Sequence, residues 1–276
     1  MNSVAVVKFE GDLEKTLKEG LEQVGGFGKL RSPVLIKPNI CTGSDATGYA
    51  CTGVEVVEAL IGLILKRDRR LSVKIVESDS ENKYADKAFE KFGYKRLEEQ
   101  MQDAGFDVSL VNLSHSPTAQ VPFAGLYFKD PELPKILTEP HYVISLAIPK
   151  THNLTFITGI LKNLFGLLPR KNKSYYHPRI HDIVADLGRL VQPDLCIVDA
   201  RVGIEGWNGT TCRRLDTFIF GKQPVSVDAV MAKTMGFEPE KIRHLVEASQ
   251  YDLGTLAPTI QGESIASVKV QFAPPN

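Results

Sequence analysis

The sequence predicts an α/β fold: a mostly parallel sheet with helices on both faces and some antiparallel edge strands. Two observations predict it. Short runs rich in Val, Ile and Leu alternate with stretches whose apolar residues recur every three or four positions. Several of those runs are apolar throughout, as strands buried on both faces are.

In chain order, residues 4–9 read as a strand and 13–24 as an amphipathic helix carrying Leu13, Leu17, Leu21 and Val24 on one face. Residues 34–36 form a short buried strand, 54–65 a helix and 73–76 a strand. Helices follow near 84–92 and 96–104, then a strand over 107–113. Residues 121–128 alternate like an antiparallel strand or hairpin arm, and 142–148 read as a central strand. Residues 156–165 and 180–190 have helical spacing, 195–198 and 217–220 are strand-like, and 225–235 and 241–249 are helical. The tail, 267–272, reads as a last strand. No repeat or long linker interrupts this order, so residues 1–276 are expected to form one domain.

Composition narrows the function classes. Basic and acidic residues balance at 33 each, which argues against a nucleic-acid partner. No apolar run reaches the roughly 18 residues of a membrane span, and residues 1–12 lack the pattern of a secretory signal. The four cysteines, Cys41, Cys51, Cys196 and Cys212, form no CxxC pair and read as free thiols of a cytoplasmic protein. A metal or cluster shared by Cys41 and Cys51 would need further ligands from elsewhere.

In parallel sheets, ligands bind beyond the carboxyl ends of the strands. The residues at those ends are polar: Lys37-Pro38-Asn39, Glu77-Ser78-Asp79-Ser80, Pro149-Lys150-Thr151-His152 and Asp199-Ala200-Arg201. Lys150 comes after an apolar strand, where desolvation would make it a base or nucleophile, or where it would hold a carboxylate or phosphate. His152 is suited to proton transfer or metal ligation. Gly159, Lys162, Asn163 and Gly166 share one helix face at spacings of three and four. The two glycines suggest that something approaches that face closely, and a Gly166 cap is the plainer reading. His177 is expected at a helix cap, pointing into the site, with His181 in a structural role. Tyr176 and its basic neighbours would meet an anionic or aromatic ligand. Glu205, in a glycine-rich segment without a nucleotide-binding fingerprint, is an acid, base or ligand candidate. The loop from Gly43 to Gly53 precedes a helix and offers backbone N–H groups to an anion. Asp228, inside an apolar helix start, needs a partner, either a cap or a site lysine.

Several of these segments together resemble the domain-of-unknown-function 362 (DUF362) proteins: Ile36-Lys37-Pro38-Asn39, Ile148-Pro149-Lys150-Thr151-His152, Gly159 with Lys162-Asn163-Leu164-Phe165-Gly166, His177, Asp199 with Gly203-Ile204-Glu205-Gly206, and Val227-Asp228-Ala229. The resemblance implies no defined activity. Some members carry an appended ferredoxin-like domain with iron–sulfur clusters, whose cysteines this sequence lacks. After Glu205-Gly206 the family tends toward Gly-Pro, whereas this chain has Trp207-Asn208-Gly209.

The leading expectation is an enzyme acting on a small anionic substrate, by isomerase, lyase or redox chemistry. Its catalytic residues would be Lys150, His152, Lys162 and His177, and its substrate-binding residues Lys37, Asn39, Asn163, Tyr176, Glu205 and Asp199. The sequence names no cofactor and no committed metal site. Two alternatives stay open. One is a metal-dependent enzyme using His152, His177, Glu205 and Asp199. The other is a non-catalytic ligand carrier that partners an iron–sulfur or redox protein.

Overall fold

The computed structural model describes residues 3–275. The elements in chain order are β1 (Ser3–Lys8), α1 (Leu13–Gln23), β2 (Val34–Pro38), α2 (Val54–Arg67), β3 (Val73–Glu77), α3 (Ala85–Lys91), α4 (Tyr94–Asp103) and β4 (Val108–Asn112). They continue with β5 (Thr118–Gln120), β6 (Glu132–Pro134), β7 (Tyr142–Ala147), β8 (Lys150–His152), β9 (Phe156–Thr158), α5 (Ile160–Asn163) and α6 (Ile180–Val191). The last are β10 (Leu195–Glu205), β11 (Thr211–Gly221), α7 (Pro224–Thr234), α8 (Arg243–Ala248), β12 (Thr259–Gly262) and α9 (Ile265–Val268).

The main sheet has ten strands, eight of them in the order β12-β1-β11-β10-β7-β2-β3-β4. Pairing is parallel from β10 through β4 and between β1 and β12, so the α/β reading with a mostly parallel sheet holds. Antiparallel pairing occurs at the margin, between β8 and β9, and also inside the sheet, where β11 runs between β1 and β10. The separate hairpin is β5 with β6, on either side of the stretch that alternates in sequence.

Side-chain alternation sends the apolar residues to two cores. Leu35, Val143 and Val198 face α5 to α8, whereas Ile36, Ile144 and Ile197 face α1 to α4. Helices therefore cover both faces.

The chain leaves β2 toward β3 and β4, then returns to pair β7 on the other side of β2. That reversal makes the carboxyl ends of β2 and β7 a topological switch point, where a crevice opens in α/β sheets. Three segments differ from the sequence expectation. Residues 121–128 form no strand, only an isolated antiparallel bridge between Ala124 and Lys129. Residues 156–165 are not one helix: β9 comes first, with Phe156 at φ 68°, and α5 starts at Ile160. The tail over 267–272 is not a strand. Its first two residues end the short α9, the rest is irregular, and the strand beside β1 is the earlier β12.

Candidate functional site

At the switch point the structure encloses a cavity of about 490 Å3. β2 delivers Lys37 and, just beyond it, Asn39 and Cys41. β3 ends on Glu77, β8 brings Lys150 and His152, and α5 brings Lys162 and Asn163. Lys83, Lys173 and His177 come from loops.

The floor is a buried polar network. Lys37 Nζ donates to Glu77 Oε2 at 2.7 Å and to the Pro38 carbonyl at 2.7 Å. Lys83 Nζ lies 3.4 Å from the other oxygen of Glu77. Burial pulls the Lys37 pKa down, against the raising effect of Glu77. Asn163 joins the strands: its Nδ2 donates to the Lys37 carbonyl at 3.0 Å and to Ser145 Oγ at 3.2 Å, and its Oδ1 accepts from Asn39 Nδ2 at 3.3 Å. Close packing explains why a glycine is needed at Gly166. An added Cβ would sit 2.6 Å from Glu77 Oε1 and 2.7 Å from Lys37 Cε. The group that approaches this glycine is thus the Lys37–Glu77 pair.

Asp228 sets α5 in place. It is fully buried and accepts the N–H groups of Ile160 at 2.6 Å and Leu161 at 2.9 Å. Its partner is a cap, not a site lysine, and an added Cβ at Gly159 would collide with the carboxyl. Burial raises its pKa to about 7, against the lowering effect of those two N–H groups.

Lys150 is fully buried and donates to Asn39 Oδ1 at 2.6 Å, to Cys41 Sγ at 3.2 Å and to the Ala50 carbonyl. Three acceptors for three N–H bonds suit a held cation, the second of the two readings its sequence position leaves open, better than a base or nucleophile. Lys173, also buried, donates to Ser78 Oγ at 2.9 Å and to the Leu168 carbonyl. Burial brings its pKa to about 7. Lys162 differs. It makes no hydrogen bond among the described residues, and its ammonium lies 4.1 Å from the centroid of the Phe165 ring. Burial, with Lys150 and Lys37 nearby and Cys41 opposing, brings its pKa to about 8.

His152 Nδ1 accepts the Leu154 N–H at 3.1 Å, with Thr155 N–H at 3.4 Å. Its proton therefore sits on Nε2. Burial first, then Lys162, His177 and Lys150, lower its pKa to about 3, so the ring is neutral. His177, at the exposed rim, is also shifted down, by burial and Lys162.

Three sequence candidates lie outside this cavity. Asp199 faces the opposite side of the sheet and pairs with Arg201 at 2.7 Å in a second cavity. Strand alternation puts it with Ile197 rather than Val198. Glu205 pairs with Arg213 at 2.8 Å and accepts the Ala273 N–H at 2.8 Å. Tyr176 packs edge-on against Phe165, Phe128 and Tyr127. The four donors of the metal reading, His152, His177, Glu205 and Asp199, thus do not share one cavity. No group of three or more His, Cys, Asp or Glu side chains is arranged for a metal ion among the described residues. The 43–53 loop uses its own N–H groups: Asp45 accepts those of Thr47, Gly48 and Cys51. His181 stacks on the buried His244 at 6.0 Å.

Sequence reading missed Lys83, which comes from a loop with no strand-end signal. Lys173 entered only among the basic neighbours of Tyr176, and Cys41 only as a metal or cluster ligand with Cys51. Cys41 stands two residues after Asn39, close enough to a strand end to belong with it.

A lysine-walled cavity at the switch point of a mixed α/β sheet defines the class. The chain belongs to the family described as domain of unknown function (DUF362), which matches residues 34–233. It is similar to a thylakoid-associated protein from Synechocystis sp., 28% identical over 213 residues, 71% of this chain and 61% of that protein. The chain thus spans about three fifths of the length of that relative. Among solved structures, a lactate racemase apoprotein from Thermoanaerobacterium thermosaccharolyticum aligns at 12% identity and a TM-score of 0.46, over 91% of this chain and 57% of that one. A Thermotoga maritima protein aligns at 13% identity and a TM-score of 0.39, over 70% and 51%. No helix among the described residues is long and apolar enough to cross a membrane.

Proposed function

We propose that the protein is an enzyme that binds a small anionic substrate in this cavity and moves a proton on it beside a carbonyl group. The observation that carries the reading is charge imbalance. Five lysines, Lys37, Lys83, Lys150, Lys162 and Lys173, line the wall against the two carboxylates Glu77 and Glu81. Four of the amino groups are fixed by protein acceptors, Lys173 among them at a pKa of about 7, and Lys162 is left to meet the substrate. Lys162 would hold the anionic group. Neutral His152, with its proton on Nε2, would polarise the carbonyl as a donor, a task that a neutral imidazole performs when its pKa is depressed. His177, neutral at pH 7, would accept the proton.

Calorimetric titration with inorganic phosphate, oxalate and glyoxylate tests the binding half. Binding by the wild type and about tenfold weaker binding by Lys162→Met are expected, roughly the 1.4 kcal/mol of one charge-assisted contact. The affinity should also fall as pH rises through about 8, because Lys162 loses its proton there. No binding of any of the three anions, or equal binding by the variant, would remove the reading.

A further inference from the structure

Cys41 is the group in the cavity wall that the proposed proton chemistry leaves unused. Its Sγ lies 3.2 Å from Lys150 Nζ, and it also approaches the carbonyls of Ala50 and Trp207, each at 3.4 Å. Lys150 is fully buried and has no carboxylate among its hydrogen-bonded partners; they are Asn39, the Ala50 carbonyl and this sulfur. A buried cation in that position is stabilised by a negative sulfur beside it. Lys162 lines the same cavity.

We propose that Cys41, held against the Lys150 ammonium, is a nucleophile that adds to the carbonyl carbon of a small oxo acid bound in the cavity. This rests on the reading of the cavity as an anion site and names its substrate class: an anion that carries an aldehyde or keto group. In the step, the sulfur lone pair forms the S–C bond as the C=O π bond breaks. The electron pair moves to oxygen, which accepts a hydrogen bond from His152 Nε2 and takes a proton from solvent water, while Lys162 keeps the anionic group. The product is a hemithioacetal or hemithioketal, and no oxidant or reductant is needed. Lys150 acts as a positioning residue, since it touches the sulfur and not the substrate. The electrostatics agree: a hydrogen bond from Cys51, with Lys150 opposing burial, lowers the Cys41 pKa to about 6.

The test is alkylation of the full chain by iodoacetamide across pH 5 to 9, with sites quantified by mass spectrometry. The exposed Cys212 is the internal reference. Labelling of Cys41 should reach its plateau by about pH 7, whereas an ordinary thiol continues to gain through about pH 8.5. At pH 6 Cys41 should react about tenfold faster than free glutathione, because its larger thiolate fraction outweighs its lower intrinsic nucleophilicity. Glyoxylate should slow Cys41 several-fold beyond the protection given by oxalate, which offers the charges without an aldehyde, and should leave Cys212 unchanged. A Cys41 profile that climbs through about pH 8.5 like that of an ordinary thiol overturns the nucleophile. Equal protection by oxalate and glyoxylate overturns the addition while leaving the anion site standing. A plateau at pH 7 with no protection by either anion overturns the addition, and together with null calorimetry removes the anion site as well.

Discussion

Two cavities open past the carboxyl ends of the strands, one lined by Cys41 and the other by Cys51, and they treat charge in opposite ways. The first, about 490 Å3, gathers five lysines around two carboxylates. The second, about 250 Å3, is lined by two arginines and three carboxylates, and each arginine is paired. Arg201 donates to Asp199 at 2.7 Å and to Glu55 at 2.9 Å, and Arg214 donates to Asp216 at 2.9 Å. Both cavities satisfy the rule that polar residues collect at strand ends. Among the described residues, only the first keeps a cation, Lys162, without a hydrogen-bonding protein partner. Convergence of polar side chains is therefore a poor guide to a ligand site, and charge left over after internal pairing is a better one.

The sharpest way to break this comparison is to alter the pairing inside the first cavity. Glu77 is nearly solvent-free and serves both Lys37 and Lys83. Glu77→Gln would leave two buried ammonium groups without their anion. Removing one partner of a buried pair costs about 3–5 kcal/mol, so the denaturant midpoint should fall steeply. A loss below about 1 kcal/mol would mean that water reaches this network and that the imbalance is not a buried one.

The next effect concerns the histidines around the first cavity. His152 and His244 both have their pKa lowered to about 3, with burial as the first cause and Lys162 among the others. Proton counting gives the sign. The unfolded chain binds protons near pH 6.5 and the folded chain does not, so stability falls as pH drops below about 6.5 and continues to fall toward 3. For the fully buried His244 alone the loss between pH 7 and 5 is about 2 kcal/mol. Urea unfolding at the two pH values measures it, and His244→Leu should lose less. An identical loss in wild type and variant would place the acid sensitivity elsewhere.

The sequence showed the first cavity better than it showed the difference between the two. The strands of the parallel region were legible because both of their faces are buried, which leaves continuous apolar runs such as Val34-Leu35-Ile36. Lys37, Asn39, Lys150 and His152 were legible because they stand directly after those runs. Asp199 stands in the same relation to β10, yet one step of strand alternation sends it to the other cavity. Nothing local distinguishes the two cases. The break at Gly159 was hidden for a similar reason: the cap of α5 is Asp228, 68 positions away from Ile160. Lys83 and Lys173 arrive on loops whose paths depend on tertiary packing, so their charge could not be counted in advance.

The smallest predicted effect tests the quiet member of the pair. Arg201→Gln removes the cation that neutralises Asp199 and Glu55, and the guanidinium that lies 5.4 Å from the centroid of the Phe9 ring. The interaction is partly exposed to water, so a stability loss of about 1 kcal/mol is expected. Phosphate affinity should stay within about twofold of wild type, because the second cavity has no surplus cation to lose and Arg201 does not line the first. Calorimetry on this variant beside Lys162→Met decides the matter. If both weaken phosphate binding alike, the anion responds to the summed field of the molecule rather than to one unpartnered ammonium. If only Lys162→Met weakens it, the leftover charge of the first cavity is what selects the ligand.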